Sequence, residues 1–117
     1  MQLIFSYIDQ ETRNPTTFIS FPITMADFLK NEITQLLKTN QTESYFKHNI
    51  ESEQKKVLNR VFTIPSEWAP NKQEIVMISF IIEKKLKSDH FKPIIETYSN
   101  QIKEIPNIFK AFYRKSK

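Results

Sequence analysis

The stretch "IVMISFII", Ile75 to Ile82, constrains this chain more than any other. A strand with one wet face alternates apolar and polar residues. This run is apolar on both faces and broken only by Ser79, as expected of a central strand covered on both sides. It is far too short to cross a bilayer as a helix. Other strands must therefore flank it, and the remaining sequence has to supply them together with the layers that cover them.

Two segments near the start read as a hairpin. "QLIFSYI" and "TTFISF" are rich in β-branched and aromatic residues, and the polar "DQETRNP" between them ends in Asn-Pro. Pro22 ends the second strand, because it cannot donate to a ladder. An amphipathic helix comes next, over residues 24–40. Thr24 is the N-cap candidate, with Asp27 three residues on as a variant of the capping box. Met25, Phe28, Leu29, Ile33, Leu36 and Leu37 recur at helical spacing, and Lys38 and Asn40 suit the helix end. "QTESYFKHNIESEQ" is expected to form a short helix and then a loop. "KKVLNRVFTI" reads as a strand closed by Pro65, and "PSEWAPNK" as a loop around the single tryptophan. After the apolar run the pattern turns helical, with Phe91, Ile94, Ile95, Tyr98, Ile102 and Ile105 at three- and four-residue steps. Pro106 should kink or break that helix, after which Ile108, Phe109 and Phe112 resume the stripe.

The predicted class is α/β of the α+β type. A mainly antiparallel sheet of four to five strands carries a helix after the first hairpin and one or two C-terminal helices, in the order ββαββ(β)αα. The 117 residues make one domain, 1–117. The chain has no glycine. Phosphate-cradling loops need backbone angles and close approaches that a Cβ forbids, so Walker-type and Rossmann-type nucleotide sites are disfavoured. It has no cysteine either, which removes thiol nucleophiles and thiolate zinc sites and makes the cytoplasm the default location. The N-terminus "MQLIFSYID" lacks the basic region of a signal peptide. Charge is uneven: residues 1–53 hold four basic and seven acidic side chains, residues 54–117 thirteen and six. The basic second half points weakly to an anionic partner.

The opening "LIFSYID…NPTTFISFP", the helix from Thr24 and the ending "FKPIIETYSNQIKEIPNIFKAFY" resemble the longin-type domain of the wider roadblock/longin group. That group starts on a hairpin, continues with a long helix, returns to the sheet and ends on helices, usually with five strands. The ending is similar in style to that of small longin-like proteins of Asgard-type archaea. Such domains are non-catalytic platforms for small GTPases, SNARE-type or coat partners, and each other. The resemblance thus implies interaction rather than catalysis, and it brings no catalytic residues with it; a shared fold carries function only by association.

Candidate chemistry is sparse. His48 and His90 lie far apart in polar stretches, and a metal site would need both to meet a carboxylate; Ser88 or Asp89 beside His90 is more simply a helix cap. Ser66 sits next to Glu67 but has no Gly-x-Ser-x-Gly elbow and no nearby histidine. Glu51 and Glu53 pair as any polar loop allows. No catalytic residue, cofactor or metal is therefore expected. Trp68 is a candidate interface residue, as an exposed anchor or, in the preferred reading, folded back over one end of the sheet. In "IPNIFKAFYRKSK", Ile105, Ile108, Phe109 and Phe112 continue the core stripe, while Lys110, Arg114, Lys115 and Lys117 lie elsewhere. The tip, Arg114, Lys115 and Lys117, is a candidate contact for an anion or a partner.

These features predict a protein-interaction platform whose edge strand and first helix make the contacts. The partner that the resemblance implies is a small GTPase, another longin or roadblock domain, or a second copy in a homodimer. The alternative is a peripheral anion-binding module that docks its basic C-terminal half on membrane lipid or nucleic acid; of the two, nucleic acid is disfavoured, because no recognisable motif holds the aromatic residues.

Overall fold

A computed structural model describes residues 2–113 of the chain. Arg114, Lys115 and Lys117 lie outside the described residues. Seven residues, Gln2–Ile8, form β1, and Pro15–Phe21 form β2. Helices α1 (Asp27–Thr34) and α2 (Leu36–Thr39) come next, then β3 (Ser44–Ile50), β4 (Lys55–Pro65), β5 (Gln73–Glu83) and α3 (Lys92–Lys103). A 3-10 segment, Ile108–Tyr113, closes the described chain. The strands make one sheet in the order β2-β1-β5-β4-β3, every neighbouring pair antiparallel.

The apolar run is the middle strand, as its two apolar faces require. β5 pairs with β1 on one side and β4 on the other. Alternate residues go to opposite faces. Val76, Ile78, Phe80 and Ile82 join Phe5, Leu58, Phe62, Ile64 and Ile95 beneath α3, with Phe109 and Phe112. Met77 and Ile81 face the other way, among Leu29, Ile33, Ile4 and Val57 under α1 and Leu37, Val61 and Ile8 under α2. Ser79 is buried within the run because its hydroxyl donates to Asn59 Oδ1 of the neighbouring strand at 2.7 Å, which satisfies both polar groups.

Several local expectations are corrected. The segment expected as a short helix and loop is the fifth strand, β3. Paired on one side only and exposing Lys47 and Asn49, it shows no continuous apolar signal. The first helix begins at Asp27 with Ala26 at the cap position and no side-chain cap, so Thr24 does not fill that role; Asp27 instead pairs with Lys30 at 3.4 Å. The helix divides at Gln35, and Asn40 closes its second part by donating from Nδ2 to Leu36 O at 2.8 Å. Phe28 is exposed rather than on the buried face with Met25, Leu29, Ile33 and Leu37. Neither Ser88 nor Asp89 caps a helix by its side chain; Ser88 is buried and its Oγ accepts from Lys47 Nζ at 3.4 Å. Pro106 does interrupt the last helix, as its missing N–H requires, and the stripe resumes as a 3-10 segment rather than an α-helix.

Candidate interaction surface

The two sheet edges differ sharply. No charged residue lies between Arg13 and Asp27, so β2 ("PTTFISF") and its flanks are uncharged throughout. The opposite edge, β3 ("SYFKHNI"), carries Lys47 and His48. His48 Nε2 is 3.1 Å from Glu32 Oε2, and Lys92 Nζ sits 4.9 Å from the centre of the Tyr45 ring. Charge on an edge strand is the usual protection against pairing with another chain. β3 has that protection and β2 lacks it.

A register shift shapes β2 further. Between Phe5 and Ser6 of β1 the pairing slips, so Ile19 stands opposite Phe5 but Thr17 opposite Ser6. Such a bulge places two successive side chains on one face. Phe18 and Ile19 therefore both point to the α3 side, where the Phe18 ring meets Phe5, Tyr7 and Phe112 edge-on at 5.8, 6.2 and 5.3 Å. Phe21, opposite Leu3, shares that side. Large apolar side chains stay exposed along β2 and just after it: Ile19 at 52%, Phe21 at 68% and Ile23 at 79%. On the other face Thr17 Oγ1 and Thr34 Oγ1 share a 2.7 Å hydrogen bond that ties β2 to α1.

Helix α3 packs on β4 and β5, which leaves the β1–β2 half of that face to be covered only in part, by Phe112 of the 108–113 segment. The result is a groove of about 350 Å³ lined by Leu3, Phe5, Ile19, Ile78, Tyr98, Gln101, Ile102 and Ile105, Gln101 supplying the one amide side chain among apolar and aromatic neighbours. Tyr98 and Ile105, expected in the core, are instead half-exposed on the wall of this groove. Exposed apolar side chains contiguous with such a groove are characteristic of binding surfaces.

At the far end of the sheet a buried carboxyl group gathers three donors. Ser66 Oγ and Tyr113 Oη donate to Glu74 Oε2 at 2.7 and 2.6 Å, and Gln10 Nε2 donates to Oε1 at 3.0 Å. Burial, then the hydrogen bond to Glu74, pushes the Tyr113 phenol up to about 12, so it is a donor at neutral pH. Ser66 in turn accepts from the amides of Trp68 and Ala69 at 3.3 and 3.2 Å. Its proton goes to Glu74, its oxygen to the loop, and it is almost wholly buried. The arrangement ties the β1–β2 turn, the 66–72 loop and the 108–113 segment together.

Trp68 both folds back and stays visible. Its ring is half-exposed, yet it meets Phe109 and Tyr113 edge-on, each at 5.2 Å, with Lys110 Nζ 5.7 Å from its centre. Sequence reasoning missed Glu74, whose three donors come from 8 to 64 residues away. The expected contact elements, an edge strand and the first helix, leave the choice of edge open, and the uncharged stretch after Arg13 is the sequence signal that points to β2. Among the described residues no group of three or more His, Asp or Glu could hold a metal ion, and no helix is long and apolar enough to cross a membrane. No family model and no curated protein matches this chain.

Proposed function

We propose that this chain is a non-catalytic, longin-like interaction platform that works in the cytoplasm and docks a protein partner on the β2 edge and the adjoining groove. The carrying observation is the uncharged β2 edge, with Ile19, Phe21 and Ile23 exposed along it and the apolar groove beside it. The partner class that fits the resemblance is a small GTPase or another longin or roadblock domain, a second copy included. Such a platform would regulate or scaffold GTPases or trafficking-type assemblies. The arrangement of strands and helices, including a fifth strand, supports the resemblance. Binding would use surface complementarity: apolar side chains entering the groove, with the outer backbone of β2 open to pairing on either side of its bulge.

The anion-binding alternative finds one feature in its favour, the turn Lys84–Lys85–Leu86–Lys87 with its exposed leucine. Two lysines at that end are already engaged, Lys84 with Glu51 at 2.7 Å and Lys55 with Glu83 at 3.5 Å, so the platform reading is preferred. A pull-down from source-cell extract with a GTPase-focused readout tests it, using the wild type and an Ile19→Lys/Phe21→Lys double variant. Both positions are more than half exposed, so folding should change by no more than about 0.5 kcal/mol each. The wild type should capture partners and the variant should not. Equal capture by both would overturn the proposal, and capture lost steeply with salt would favour the anion-binding alternative.

A further inference from the structure

The same groove does not end at Ile105. Beyond Phe5, the face of β1 and β2 continues through Tyr7 and Phe18, and there it is covered by the chain's own 108–113 segment. Phe112 stacks on Tyr7 with ring centres 4.5 Å apart and 11° between planes, and it meets Phe5 edge-on at 6.0 Å. Trp68 covers the segment from outside, against Phe109 and Tyr113.

The attachment of this segment is unlike that of the helices. α3 stops at Lys103, Pro106 prevents helical continuity, and Asn107 takes a left-handed conformation at φ 58°, which asparagine tolerates better than most residues. From Ile108 the chain winds as a 3-10 helix, a geometry that persists only in short pieces. Its backbone hydrogen bonds run back along its own turns, Ile108 N to Ile105 O at 3.4 Å and Lys110 N to Asn107 O at 3.1 Å. Side chains hold it to the sheet: Phe109, Phe112, and the 2.6 Å bond from Tyr113 to buried Glu74. A segment fixed by few buried side chains, behind a break in backbone regularity, is the kind that opens before the global unfolding of a domain.

We infer that residues 106–113 form a displaceable strap over one end of the docking groove, latched by Tyr113 on Glu74, and that its release lengthens the groove beyond Phe5 to include Tyr7 and Phe18. This rests on the platform reading and adds its regulation: a partner that inserts an aromatic side chain where Phe112 lies must compete with the strap. The 66–72 loop moves with it, because Ser66 shares Glu74 with Tyr113 and Trp68 rests on the strap.

Hydrogen exchange of the full chain, wild type and Tyr113→Phe, tests this. The substitution removes one hydrogen bond and keeps the ring. In the wild type, amides of 107–113 and 66–72 should exchange at least about tenfold faster than those of β1, β4 and β5. Tyr113→Phe should speed them by a further tenfold or so, the loss expected for a hydrogen bond to a carboxylate, and leave the sheet unchanged. Binding of an apolar dye, anilinonaphthalene sulfonate, should rise in step. Strap and sheet exchanging together in both proteins would overturn the inference, as would a uniform acceleration or none at all. Partner capture by the β2 edge is read in a separate experiment, so a strap that fails to open leaves that surface standing.

Discussion

Replacing Phe112 by alanine separates a strap from an ordinary piece of core. The ring is nearly buried and contacts three others, Tyr7, Phe5 and Phe18. Burying a phenylalanine contributes about 1.5–3 kcal/mol, aromatic pairs add about 0.5–1.5 each, and Phe→Ala in a core costs about 3–5 in all. Phe80, fully buried on the central strand beneath α3, should show that full cost, about 4 kcal/mol. Phe112 should show less. If the strap undocks before the sheet unfolds, global stability can lose no more than the strap's docking free energy, and about 2 kcal/mol is expected. Urea unfolding monitored by two probes reads both quantities. Trp68 fluorescence reports the strap, since its ring rests on Phe109 and Tyr113; far-ultraviolet circular dichroism reports the sheet. In Phe112→Ala the fluorescence transition should precede the dichroism transition, whereas in Phe80→Ala the two should coincide at a lower midpoint. Coincident transitions in Phe112→Ala, with a loss equal to that of Phe80→Ala, would refute the reasoning and make the segment part of one cooperative core.

Two further predictions concern the Glu74 junction. Glu74→Ala leaves Ser66, Tyr113 and Gln10 without their acceptor and should cost about 3 kcal/mol of stability in urea titration, whereas Glu74→Gln, which keeps the volume and one acceptor, should cost about 1. In a tyrosinate absorbance titration Tyr45, raised by burial and then by Asp89 and Glu96, and Tyr113, raised to about 12, should ionise above the ordinary 10.0, and Tyr113→Phe should remove the step near 12. Because the Tyr113 pKa is higher folded than the ordinary 10.0, its contribution to stability is complete below pH 10 and lost as pH climbs toward 12.

The central strand was legible in the sequence because burial on both faces leaves an unbroken apolar run, and no loop or exposed helix reads that way. β4 and the first helix were legible for a related reason, a regular period ended by Pro65 or Asn40. β3 was not. An edge strand under one partner and beside charged groups loses half of its apolar signal, and "SYFKHNI" reads as well for a loop. The stripe of α3 misled in a different manner: Ile94 and Tyr98 fit the helical period of the core, yet the helix turns Ile95 and Ser99 to the sheet and leaves those two half-exposed. Periodicity alone gives a face but not how much of it is covered. The Glu74 junction was illegible for a simpler reason. Its members are single polar residues in four separate segments, and only the folded topology brings them together.

The most direct measurement of the central claim is the hydrogen-exchange footprint of the chain bound to a captured protein partner, compared with the free chain. The account predicts new protection in residues 15–23 and 98–105, the β2 edge and the wall of the groove, with β3 unchanged. Protection confined to β3, or to the lysine-rich turn at 84–87, would contradict it.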